Sequence, residues 1–160
     1  MLNYLDLSGN GLNYDDKILL DSKFLHILIA KNCSIEDLDL NFNFSLFPTL
    51  SELNLKSNKI SIIKRHFFER SNLAVIDLSF NQIIYIESGS FSNNLKINYL
   101  YLNNNLLKIF NTDMIYILRV IGEFEINLEN NQLSSYDHYS DHASKIVLNL
   151  NNNNLTEDYI

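Results

Sequence analysis

This 160-residue sequence predicts an α/β solenoid, a stack of short parallel strands joined by irregular return segments. Three observations carry that prediction. The spacing L-x-L-x-x-N-x-L, with other apolar residues replacing Leu in places, recurs seven times at intervals of 22 to 26 residues. Its three apolar columns hold apolar residues at all 21 places, a coincidence of roughly one in ten million at the chain's 46% hydrophobic content. The polar column holds Asn10, Asn58, Asn81, Asn105, Asn131 and Asn153, with Cys33 standing in the second copy.

Each element follows in order. LNYLDLSGNGL supplies Leu5, Leu7, Asn10 and Leu12, and LHILIAKNCSI supplies Leu28, Ala30, Cys33 and Ile35 at the same offsets. The next copies are anchored at Leu53, Ile76, Leu100 and Ile126, and the last is LNLNNNNL, anchored at Leu148. With the leading position included, repeats begin near residues 2, 25, 50, 73, 97, 123 and 145, which makes residues 1–160 a single domain. Within each L-x-L the two apolar side chains point inward and the residues between them outward, because strand side chains alternate faces.

After each strand the chain turns, and an amide side chain that donates and accepts at once suits the backbone groups buried there. The seven polar-column residues are therefore expected to form a structural ladder between neighbouring turns. Asn153 is a rung, whereas Asn149 and Asn151 face outward and Asn152 and Asn154 lie in the turn. Cys33 reads as a small buried rung.

The return half has its own signal: Leu20, Phe68, Phe91 and Ile115 stand ten residues after their rungs, and Ile63 and Ile86 stand five after theirs. Short helices are predicted around 18–25 and over 112–121, the second after the cap Asn111, with loop or 3₁₀ turn elsewhere. SSYDHYSDHAS, the return of the sixth repeat, puts Asp141 at an apolar position and predicts a loosely packed exposed loop.

The whole unit, L-x-x-L-x-L-x-x-N/C-x-L, is the leucine-rich-repeat signature. NKISIIKRHFFERSNL and NQIIYIESGSFSNNLKI resemble the typical 24-residue class of that repeat, found in animal extracellular proteins such as Toll-type receptors and insect leucine-rich immune proteins. The resemblance implies a horseshoe with a concave parallel sheet and a convex side of loops, 3₁₀ turns and short helices. It also implies an extracellular or cell-surface protein-recognition role.

Composition narrows the function classes. A net charge of −7 with scattered basic residues lacks the footprint of a nucleic-acid binder. No apolar run reaches the length of a membrane span, and the N-terminal residues lack the pattern of a secretory signal. One cysteine cannot form an internal disulfide, which leaves the compartment open. Sequons at Asn32, Asn43 and Asn154 match the number that 25 asparagines should give by chance, about three. Terminal repeats of a solenoid need a polar cap, and neither end of this sequence carries one, which reads as an uncapped fragment of a longer chain.

Catalytic and cofactor signals are absent. The four glycines do not form a phosphate loop, and no nucleophile elbow occurs. His138 and His142, with Asp137 and Asp141 in DHYSDH, would converge on a metal only if helical; a solvated acidic loop is the favoured reading. His26 and His66 read as surface residues. The expectation is a chain with no catalytic, cofactor-binding or metal residues.

The outward strand positions remain, and solenoids use that surface for partners. Tyr99 and Tyr101 share the outward face of one strand, flanked by Asp77 and Asn127, in the pattern of an aromatic protein-binding centre with a polar rim. Ile27 and Ile29 form a second apolar spot. The leading function is a non-enzymatic recognition module that binds a protein on the concave face, part of a receptor, adhesion or immune protein. The alternative is an intracellular scaffold or regulatory subunit of cytoplasmic location. A hydrolase or metal enzyme built on DHYSDH is the weakest reading.

Overall fold

The computed structural model describes residues 2–12, 23–38, 44–92, 94, 96–111, 123–137 and 145–156. Its centre is one seven-stranded parallel sheet built from β1 (Tyr4–Asp6), β2 (Ile27–Ile29), β3 (Glu52–Asn54), β5 (Val75–Asp77), β7 (Tyr99–Tyr101), β9 (Glu123–Asn127) and β11 (Lys145–Asn149), stacked in chain order. Two short strand pairs lie on the return side: β4 (Ile62–Ile63) with β6 (Tyr85–Ile86), and β8 (Ile109–Asn111) with β10 (Ser135–Asp137). The molecule is a parallel-strand solenoid.

Register follows the repeat. Leu28, Leu53, Ile76, Leu100 and Ile126 lie opposite one another across the main sheet, and all five are buried. Each such side chain contributes about 1.5–3 kcal/mol by leaving water. Leu5 and Leu148, on the edge strands, are only half buried because each has a neighbour on one side alone.

The core is closed from behind by phenylalanines. Phe68 and Phe91 are completely buried, and Phe44 and Phe67 pack edge to face with ring centroids 5.7 Å apart. Leu20 and Ile115 of the same expected column lie outside the described residues, as do 18–22 and 112–121 of the two predicted helices; Lys23 and Phe24 form a turn.

The return side departs from the expected loops in two places. Besides a 3₁₀ turn at Phe44–Leu46, the described residues there form the two strand pairs, because adjacent repeats bring extended segments alongside each other at strand spacing. The expected loop of SSYDHYSDHAS begins as β10, with Tyr136 opposite Phe110; residues 138–144 lie outside the described residues.

Candidate protein-binding site

The site is built on the turns that follow the strands. Asn58, Asn81, Asn105, Asn131 and Asn153 each donate from Nδ2 to three carbonyls, two in their own turn and one in the repeat before. Asn105, for example, donates to Leu78 and Leu102 at 3.0 Å each. Each Oδ1 accepts a backbone N–H of the preceding repeat, as from Ile83 N to Asn105 at 3.0 Å. Cys33 is buried, and its thiol donates to the carbonyls of Leu7 and Lys31 at 3.2 and 3.3 Å. Asn10 is exposed, and its amide reaches only its own turn, at Leu7 and Ser8.

Sequence spacing missed a second column. The residue just before each rung adopts a positive φ: Gly9, Asn32, Ser57, Phe80, Asn104, Asn130 and Asn152, at 52 to 77°. Each of the first six also donates its backbone N–H to the next repeat, as from Phe80 to Asn103 at 3.0 Å. Gly and Asn tolerate this left-handed geometry, which accounts for five of the seven identities. Phe80 does not fit that account: it is a bulky residue at φ 56°, 47% exposed, with the Lys56 ammonium 4.7 Å from its ring centroid. The signal was present in the sequence as an aromatic in a column of small polar residues and glycine.

On the open face of the sheet, the outward residues align as two rows. Tyr4, Ile27, Glu52, Val75, Tyr99, Glu125 and Val147 are in register, and so are Asp6, Ile29, Asn54, Asp77, Tyr101, Asn127 and Asn149. In the second row five residues have a local task. Asp6, Asn54, Asp77, Asn127 and Asn149 each accept, at Oδ1, the backbone N–H two residues on, at 2.9 to 3.2 Å. These side chains close their own turns. In Asp6 the Ser8 hydroxyl and N–H together hold the carboxyl below its ordinary value of 3.8.

Tyr101 and Ile29 give up that turn closure. Tyr101 lies parallel to Tyr99, with ring centroids 6.3 Å apart and planes 7° from each other. Burial, followed by the charge of Glu125, by Tyr99, Asp77 and Glu52, raises the Tyr101 phenol above its ordinary value of 10.0. The structure thus brings Tyr99, Tyr101, Asp77 and Asn127 together. Asp77 is also anchored by the Ser79 hydroxyl at 2.6 Å and by Asn54 Nδ2 at 3.1 Å. Ile27 and Ile29 stand three strands away on β2, half buried, so they form a separate spot.

Comparison with known proteins agrees with the geometry. Residues 48–107 match the family model described as leucine rich repeat. The chain is a leucine-rich repeat protein. A mouse (Mus musculus) protein named transforming growth factor beta activator LRRC32 is 30% identical over 115 residues, 71% of this chain. The match spans 17% of that protein's length. In such repeats the sheet and the return segments make two distinct surfaces, and here the second also carries exposed apolar groups: Ile84, Tyr85, Leu106 and Ile109, in two consecutive repeats.

Elsewhere the described residues offer little chemistry. No group of three or more potential metal ligands occurs among them, and no helix among them is long and apolar enough to cross a membrane. His138 and His142 of DHYSDH lie outside the described residues. His26 is exposed, with its Nδ1 2.8 Å from the Phe24 carbonyl, and His66 pairs with Glu69 at 3.0 Å.

Proposed function

We propose that this leucine-rich repeat chain is a non-enzymatic protein-recognition segment whose open, concave sheet face holds a protein partner. One observation carries the reading. At Tyr101 the residue that closes its own turn in five of seven repeats is replaced by an aromatic stacked on Tyr99. Surrendering a local hydrogen bond for an outward ring makes sense if the ring has a partner outside the chain. Asp77 and Asn127 hold the flanking positions as a polar rim.

The setting we propose is extracellular or at the cell surface, in a receptor, adhesion or immune protein. It is supported by the likeness of the repeats to the typical class and by a relative named as a growth-factor activator.

A photo-crosslinking amino acid placed at Val75, beside Tyr99, tests the binding face against sites at Lys64 and Tyr85 on the return side. A discrete crosslinked protein from Val75 that disappears with Tyr101→Ala supports the reading. Crosslinks only from Lys64 or Tyr85 would place the partner on the other surface. Location is tested by protease treatment of intact cells expressing the protein: loss of an epitope in these repeats supports an outside-facing chain, and full protection opposes it.

A further inference from the structure

The two outward rows of the sheet contain no lysine or arginine, yet they contain Asp6, Glu52, Asp77 and Glu125. Three of these carboxylates gather around the tyrosine pair. Glu125 lies opposite Tyr99 on one neighbouring strand, Asp77 lies opposite Tyr101 on the other, and Glu52 stands one strand further. Neighbouring strands are about 4.8 Å apart, so all three charges act on one small area.

Their pairing inside the chain is incomplete. Among the described residues the ion pairs Lys59–Glu36, His66–Glu69 and Arg70–Glu69 all lie off this face. Among the described residues the Glu52 and Glu125 carboxylates meet no cationic side chain within ion-pair distance. Asp77 is held in place by Ser79 and Asn54, which are neutral donors. A sheet face that concentrates negative charge beside two π-faces is complementary to cations, since ring faces and carboxylates both attract them.

We infer that the partner seats a basic segment on this face, with an arginine or lysine side chain against the Tyr99–Tyr101 rings and its charge shared by Glu125 and Asp77. The inference rests on the protein-binding reading and narrows its partner to a basic polypeptide. Arginine suits the site better than lysine, because its planar guanidinium stacks on a ring while donating to carboxylates at its edge.

The test uses fluorescein-labelled octa-arginine, octa-lysine and a neutral Gly-Ser peptide, titrated by fluorescence anisotropy with the full chain at two salt concentrations. Expected is salt-sensitive binding of octa-arginine, tighter than octa-lysine, with no binding of the neutral peptide. Glu125→Gln and Asp77→Asn should each weaken it about threefold or more, and Tyr101→Ala about fivefold or more. Asn at 77 keeps the turn closure that Asn54 and Asn127 make, so the variant preserves the fold. The control Glu36→Gln, an exposed charge off this face, should change affinity less than about 1.5-fold.

Equal losses for Glu36→Gln and Glu125→Gln would mean diffuse attraction by the chain's net charge and would overturn the inference. Absence of octa-arginine binding alongside a tyrosine-dependent crosslink from Val75 would also overturn it, while leaving the protein-binding reading intact. Absence of both would end both.

Discussion

The rings of Phe68 and Phe91, one repeat apart, lie parallel with centroids 5.0 Å apart and planes 2° from each other. Both are fully buried, and their separation matches the strand spacing of the sheet on the opposite wall. The stack therefore keeps the back of the solenoid in step with its front. Phe91→Ala should cost about 3–5 kcal/mol, from lost burial and the cavity left against Phe68. Chemical denaturation measures it; a loss below about 1 kcal/mol would mean that neighbouring side chains collapse into the space.

The ladder should show a gradient along the chain. Asn105→Leu removes the partner of Ile83 N and of the Leu78, Leu102 and Asn103 carbonyls and should destabilise by about 1–3 kcal/mol. Asn10→Leu should cost much less, because Asn10 is exposed and bonds only within its own turn. Equal midpoint shifts in urea for the two variants would show that the amides work locally and do not bridge repeats.

Phe80→Asn should stabilise the chain by about 0.5–1 kcal/mol, since Asn accepts the left-handed φ that Phe80 adopts against its preference. The same variant loses the Lys56 contact, which is exposed and correspondingly small. A fall in thermal midpoint would indicate that the aromatic contact outweighs the backbone strain.

Tyr101 should ionise above the ordinary tyrosine value. Its folded-state value lies above 10.0, so its protonated form is favoured by folding. The stability it contributes is fully present below pH 10 and is lost as pH rises through the higher folded value. Spectrophotometric titration of the phenolates should show a late component that Tyr101→Phe removes. Glu125→Gln should move that component to lower pH, since it deletes a neighbouring negative charge, though burial remains the larger cause. An unchanged curve in Tyr101→Phe would refute the assignment.

Much of the candidate site was legible before any coordinates. Strand alternation requires that if Leu100 and Leu102 enter the core, Tyr99 and Tyr101 face out, and constant offsets require that Val75 and Glu125 lie beside Tyr99. What alternation could not convey is that Asp77 and Asn127 are engaged in closing their own turns. That depends on the local backbone path, and it shows what Tyr101, like Ile29, gives up.

The sequence by itself determined the repeat, its inward columns, the place of each rung and the outward rows, because these follow from a period of two within strands and a nearly constant step between them. Tertiary structure decided the rest. The left-handed φ shared by the residues from Gly9 to Asn152 is set by the turn, and the first six use it to donate to the next repeat's carbonyls. The pairing of Ile62–Ile63 with Tyr85–Ile86 has the same origin: neither dipeptide has strand length alone, and each becomes a strand only when stacking brings the other within hydrogen-bonding reach. The exposure of Ile84, Tyr85 and Ile109 is likewise set by what the neighbouring repeats cover, which spacing within one repeat does not encode.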